Sequence, residues 1–177
     1  MADTTSVSMP QSKLSRFVFQ DTRMSWVWLV VRLYVGWQWL EAGWTKLHSP
    51  VWVGSQAGVA VKGFLMGALQ KANGPHPDVQ SWYAGFVQGF ALQHTVLFSY
   101  LVTYGEILVG VALILGIFTA VAAFFGAFMN VNYLLAGTVS INPVLLVLEV
   151  FLMLAWRIGG WVGLDRYIYP RMYAKKQ

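Results

Sequence analysis

Residues 25–48 decide the fold, and they read SWVWLVVRLYVGWQWLEAGWTKLH, with Pro50 following shortly after. A helix that crosses a bilayer needs about 20 mostly apolar residues, and this run is long enough. Three further apolar runs follow, over 94–116, over 119–136, and from Asn142-Pro143 to about Gly159-Gly160. Proline suits the first turn of a helix, so Asn142-Pro143 indicates a helix start. The sequence therefore predicts an all-α polytopic membrane protein with a four-transmembrane-helix bundle.

The composition supports a membrane protein and excludes several classes of function. Hydrophobic residues make up 57% of the 177-residue chain and charged residues only 11%, which is too little polar surface for a soluble domain. The nine Trp and eight Tyr are typical of chains whose amphipathic rings collect at membrane interfaces. The chain contains no Cys, which excludes thiol redox chemistry and thiolate-held metal sites within it.

The basic residues predict the orientation of the helices. The formal net charge is +5, and most Lys and Arg flank the first and last apolar runs, as the positive-inside rule expects. We therefore expect both termini in the cytoplasm, with a cytoplasmic N-terminal tail (1–24), a membrane domain (25–161) and a basic cytoplasmic C-terminal tail (162–177). The same distribution argues against nucleic-acid binding. The flanking basic residues are Lys13, Arg16, Arg23, Arg157, Arg166, Arg171, Lys175 and Lys176.

The long extracytoplasmic loop, 49–93, has a helical pattern of its own. Its first half, 59–71, is apolar with small residues, and Asn73-Gly74-Pro75-His76-Pro77 predicts a turn. Aromatic and apolar residues then recur at helical spacing over 82–90. We expect two short interfacial helices here. They either pack over the bundle or form a lid above a site.

Ionisable groups within the apolar runs are the first candidates for function, because charge in a bilayer is costly and needs a reason. Counted along each helix at about 1.5 Å per residue, Glu41, Glu149 and Asn130 share one layer about 10 Å below the outer helix ends. We expect these three to line a common pocket, with Trp37 and Tyr34 offering flat surface for a quinone ring. Glu41 and Glu149 are the candidate catalytic proton carriers, and Glu106 joins them nearer the midplane.

Other polar residues admit a structural role. Arg32 and Glu106 have compatible depths for an ion pair, and Asn130 and Asn132 suit hydrogen bonds between helices. On the first helix, one face carries Tyr34, Trp37, Gln38, Glu41, Thr45 and His48, and the other carries Arg32, Gly36, Trp39, Gly43 and Lys46. A small and polar stripe on the second helix allows close helix approach. Its members are Thr95, Ser99, Thr103, Glu106 and Gly110.

Basic side chains at the outer helix ends are candidates for binding an anion. His48 and His94 flank two helix ends, and Lys46 lies on the same side. The alternative is ordinary anchoring at the interface. No ligand-spacing motif supports a metal site, so we predict none.

Several motifs, in order along the chain, resemble the DoxX superfamily. Residues 32–46 read R-x-x-x-G-x-x-x-L-x-x-G-x-x-K, and Gly105-Glu106 with Gly110 is similar to the family's second helix. The stretch 130–143, NVNYLLAGTVSINP, resembles the DoxD branch, and 163–166, GLDR, resembles the family's closing signature. The resemblance implies a four-helix subunit in a prokaryotic cell (inner) membrane, associated with thiosulfate:quinone oxidoreductase. Such subunits join two thiosulfates to tetrathionate, pass two electrons to quinone and work with a second small subunit.

Three functions stay open from the residues and the resemblance together. The first is a quinone-linked oxidoreductase subunit acting on a small sulfur oxyanion, with Glu41, Glu106 and Glu149 catalytic. Its binding residues would be Arg32, Trp37, Lys46, His48, His94, Asn130 and Asn132. The second is a non-catalytic scaffold or assembly partner of a redox complex. The third is a small proton-coupled carrier, for which a homo-oligomer would be needed to enlarge the bundle.

Overall fold

The computed structural model describes residues 10–174, with side chains described up to Arg171, and within that range the chain is helical without strands. Eight α-helices follow in order, and two short 3₁₀ turns lie at 22–24 and 91–94. Lys175 and Lys176, predicted as part of the tail, lie outside the described residues. The helices are α1 (Lys13–Gln20), α2 (Ser25–Leu47), α3 (Val59–Lys71), α4 (Ser81–Gly89), α5 (Thr95–Leu115), α6 (Thr119–Leu135), α7 (Asn142–Leu154) and α8 (Asp165–Ala174).

Four of these helices, α2, α5, α6 and α7, form an antiparallel bundle. Each packs on two neighbours, in the ring order α2–α5–α6–α7 and back to α2. The bundle core is apolar and is centred on Trp28, Val35, Trp39, Leu113 and Leu152. The predicted four-helix arrangement is therefore present, and α2, α5 and α6 begin and end within about one residue of the predicted bounds.

Small residues bring α2 and α5 into close contact. A Cβ at Gly110 would lie 2.6 Å from the backbone nitrogen of Leu40, and one at Gly43 would lie 2.8 Å from the backbone nitrogen of Ile107. Ser99, Thr103 and Glu106 are buried on the same side of α5. The predicted small and polar stripe of α5 is thus the surface against which α2 packs.

The 49–93 segment covers one end of the bundle and is called the cap here. Its helices α3 and α4 share an apolar cluster with the ends of α5 and α6. Three polar contacts fix it: Lys71 Nζ donates to Gly137 O (2.6 Å), Tyr83 Oη to Asn132 O (3.1 Å), and Ser99 Oγ to Trp52 O (2.6 Å). The two predicted short helices are present and pack over the bundle.

Both segments predicted as tails contain helices within the described residues, 10–24 and 162–174. Within the N-terminal tail, α1 is an amphipathic helix, and Phe19 stacks on Trp28 at 5.7 Å between ring centroids. The C-terminal tail begins with residues that are part of the bundle, because Asp165 is buried and its backbone N–H donates to Gly116 O at 2.7 Å. The predicted boundaries of the membrane domain, at 25 and 161, and the cytoplasmic location of the two tails stay predictions.

One helical stretch of the described chain, 81–115, is long and apolar enough to cross a membrane by length and composition. Two shorter apolar helices, 119–135 and 142–154, fall below that length. The structure thus confirms the all-helical fold, and the predicted crossing of the membrane by four helices stays a prediction.

Candidate functional site

The first half of the candidate site is a buried ion pair between α2 and α5. Lys46 Nζ lies 2.7 and 2.9 Å from the two carboxylate oxygens of Glu106, and Tyr133 of α6 donates its hydroxyl to Oε1 at 2.7 Å. The Glu106 side chain is 1% exposed and that of Lys46 is 19% exposed. Lys46 therefore connects a buried carboxylate to the surface of the bundle.

The second half is a buried carboxyl group that has no basic partner among the described residues. Trp39 Nε1 donates to Glu149 Oε1 at 2.6 Å, and Asn130 Nδ2 donates to Oε2 at 2.7 Å. Glu149 and Asn130 are fully buried. Gly126 provides the space, because a Cβ there would overlap Glu149 Oε1. Uncharged donors from α2 and α6 thus hold the only carboxyl group of α7.

An aromatic contact joins the two halves into one network. The Trp39 ring lies 6.4 Å from the Tyr133 ring, centroid to centroid, so Trp39 binds Glu149 directly and also contacts a partner of Glu106. We call the set Lys46, Glu106, Tyr133, Trp39, Glu149 and Asn130 the carboxylate network. It draws on all four bundle helices.

The cap covers the outer side of the carboxylate network. Lys46 Nζ lies 5.1 Å from the Trp52 ring centroid, a distance typical of a cation–π contact. Phe64 of α3 meets Tyr133 edge to face at 6.0 Å. The cap aromatics thereby contact both side-chain partners of Glu106.

The DoxX family model matches residues 27–139, which is more than half of the chain. The chain belongs to the DoxX family. No curated protein and no solved structure matches it. The predicted resemblance to the superfamily is confirmed, and the family places this chain in a membrane environment. The narrower DoxD resemblance stays a prediction. Glu149 and the start of α7 lie beyond the matched range.

Two of the three polar residues expected to line a common pocket lie side by side in this DoxX protein, and the pocket itself stays a prediction. Asn130 and Glu149 are in direct contact, as predicted. Glu41 is exposed on the outer surface of α2, together with Trp37 (59% exposed) and Tyr34 (42% exposed). The residues of α2 were divided correctly between two faces. However, the face that points into the bundle is the one with Gly36, Trp39 and Gly43, not the one with Glu41. Depth along a helix does not say which face packs inward.

The predicted ion pair between Arg32 and Glu106 was wrong. Arg32 Nη2 donates to Val162 O at 2.6 Å, and Glu106 pairs with Lys46. The antiparallel register explains the difference, because Gly43 packs against Ile107 and Gly36 against Leu113. Arg32, one turn before Gly36, therefore lies at the far end of α5. Partner choice depends on register as well as depth.

The remaining predicted binding residues lie apart from the carboxylate network. His48 Nδ1 contacts Trp44 O and His94 Nδ1 contacts Phe90 O, both at 2.9 Å, and both rings are exposed. Asn132 donates to Phe128 O within its own helix at 2.8 Å and meets the cap through Tyr83. Among the described residues, no group of three His, Cys, Asp or Glu is placed to hold a metal ion.

Three important residues were missed by sequence reasoning. Tyr133 and Trp39 bind the two carboxylates, yet aromatic residues in an apolar helix look like ordinary core. Asp165 accepts from Phe118 N (2.6 Å) and Thr119 N (2.9 Å), and so caps the start of α6. Its place in the GLDR motif was the one available signal.

Proposed function

We propose that this DoxX-family chain is the membrane subunit of a quinone-linked oxidoreductase that oxidises thiosulfate to tetrathionate, and that the carboxylate network is its reaction site. The observation that carries the proposal is the network itself. Two buried carboxyl groups, a Lys and a Tyr lie together in a bundle whose core is mainly apolar. Polar groups in such surroundings are costly unless they have a function.

The overall reaction sets what the network must supply. Two thiosulfates lose one electron each and join through a new S–S bond, and the quinone takes up those two electrons with two protons to become a quinol. The Lys46 ammonium, which reaches the surface, attracts the anion. Glu106 and Tyr133 form a hydrogen-bonded path inward from it. Glu149, which contacts no cation, is suited to carry a proton.

The proposed topology has four bundle helices across the membrane, with the cap outside and both termini in the cytoplasm. The basic residues that flank α2 and follow α7 support this orientation. Since the chain has no Cys, single Cys reporters at Asn73 and Arg171 report the two sides directly. We expect an impermeant reagent added to intact cells to label position 73 and not position 171. The reverse labelling would overturn the orientation.

The proposed reaction is tested by quinone reduction with matched carboxylate variants. The purified protein, alone and together with any second subunit that co-purifies with it, is given thiosulfate and a soluble quinone analogue. We expect Glu106→Gln and Glu149→Gln to lose activity by about 100-fold or more, because general acid–base groups contribute about 10²–10⁴-fold. Glu41→Gln, on the outer face of α2, is the matched control and should keep its activity.

Each outcome of that assay decides between the open functions. Full activity in both Glu106→Gln and Glu149→Gln would remove the carboxylate network from the mechanism. Loss of quinone reduction in Glu41→Gln alone would indicate that the reaction site lies on the exposed face of α2. A stable complex with a second subunit but no turnover would favour the scaffold. A melting curve of each variant separates loss of activity from loss of fold.

A further inference from the structure

A groove of about 290 Å³ lies at the end of the bundle opposite the cap, between the α7–α8 connection and α8. Three of its six lining residues are aromatic, and the Trp156 and Tyr169 rings meet edge to face at 6.3 Å. It is separate from the carboxylate network and plays no part in the proposed reaction. The lining residues are Trp156, Arg157, Trp161, Asp165, Tyr169 and Pro170.

Two guanidinium groups flank this groove, each lying over an aromatic ring. The Arg157 guanidinium carbon lies 4.9 Å from the Trp156 ring centroid, and that of Arg166 lies 5.6 Å from the Trp161 ring centroid. Both arginines are exposed, and neither forms an ion pair with any residue in the described part of the chain. Stacking on the rings restricts the guanidinium groups while leaving their N–H donors available.

The one acidic residue that lines the groove, Asp165, already has partners for both of its carboxylate oxygens. Both Asp165 oxygens accept backbone N–H groups, from Phe118 at 2.6 Å and Thr119 at 2.9 Å. The buried Arg32 guanidinium is close enough to Asp165 for a favourable charge interaction. The net charge that the groove presents to a ligand is therefore positive.

We propose that this groove binds the headgroup and glycerol region of an anionic phospholipid in the inner leaflet. Guanidinium groups bind phosphate through paired N–H donors, and the aromatic walls suit the apolar part next to the headgroup. Basic pockets at the cytoplasmic ends of membrane helices provide this kind of recognition. The exposed Arg171 on α8 adds positive charge nearby.

The test measures lipid binding to the full-length protein in detergent, by native mass spectrometry and by thermal stability. Phosphatidylglycerol is titrated against phosphatidylcholine with the same acyl chains. We expect tighter binding of phosphatidylglycerol. Arg157→Gln and Arg166→Gln should each weaken it about fivefold and together about 25-fold, since a basic residue near anionic lipid contributes about 1 kcal/mol.

The control variant is Lys62→Gln, which removes one exposed positive charge from α3 in the cap and should leave lipid binding unchanged. Equal binding of the two lipids would overturn the proposal, and so would full preference for phosphatidylglycerol in the double variant. Inorganic phosphate that competes with phosphatidylglycerol at equal concentration would also overturn it, because the site would then recognise free phosphate.

Discussion

Removal of the Lys46 ammonium should be among the most damaging single changes in this protein. In Lys46→Met, the Glu106 carboxylate, 1% exposed, keeps only the Tyr133 hydroxyl as a side-chain partner. Breaking a buried ion pair by removing one partner costs about 3–5 kcal/mol. At about 2–4 °C per kcal/mol for a chain of this size, we expect the Tm in detergent to fall by about 6–20 °C.

A double-mutant cycle separates this effect from loss of packing. In Lys46→Met with Glu106→Gln, no uncompensated charge is left, so the double variant should lose less stability than Lys46→Met alone. Arg23→Met is the control, because its pair with Asp21 is solvent-exposed (77% and 27%) and such pairs add little. The hydrogen bonds from Arg23 lower the pKa of Asp21 to about 2, so Asp21 is ionised and the Arg23–Asp21 pair is present at neutral pH. Strictly additive losses across the Lys46–Glu106 cycle would refute the coupling.

Two further changes test the positions around the buried carboxylates. Gly126→Ala should lower stability by about 1–3 kcal/mol, because its Cβ would overlap Glu149 Oε1 and lie 3.0 Å from Trp39 Nε1. Gly85→Ala is the control, because a Cβ at Gly85 would have no neighbouring atom within 4 Å. Equal melting curves for the two variants would contradict the steric argument. Asp165→Asn should cost about 1–3 kcal/mol, because Phe118 N and Thr119 N donate to different carboxylate oxygens and an amide replaces one of these acceptors with an NH2 donor. The exposed Asp78→Asn is its control, and an unchanged Tm in Asp165→Asn would show that these two hydrogen bonds at the start of α6 are dispensable.

The bundle helices and the cap helix α3 could be predicted because their sequences are apolar and their ends are marked. The cap helix α3 runs from Val59 to Lys71, the same bounds that the apolar pattern indicated. Pro143 lies in the first turn of α7, as its sequence predicted. The last bundle helix, α7, ends earlier than expected, at Leu154 instead of near Gly159. The apolar run continues past the end of α7 through turns, and apolar content alone cannot distinguish a turn from a helix in that position.

The site was harder to predict because it depends on how helices face one another. Both faces of α2 carried polar groups, Glu41 on one and Lys46 on the other, and only packing decides between them. Gly36 and Gly43 marked the inward face, since small residues permit close approach. Tyr133 gave no signal of this kind, because an aromatic residue in an apolar helix has no distinctive pattern.

The shortness of α7 has a consequence for the surrounding bilayer in a chain whose four bundle helices cross it. Thirteen residues rise about 20 Å, whereas the hydrocarbon layer is about 30 Å thick. Lipids beside α7 would have to shorten or tilt to match its length. The membrane would therefore be thinner beside α7 than beside α2, which has 23 residues. Such uneven hydrophobic mismatch favours thin membranes, and it favours neighbours whose own spans are short.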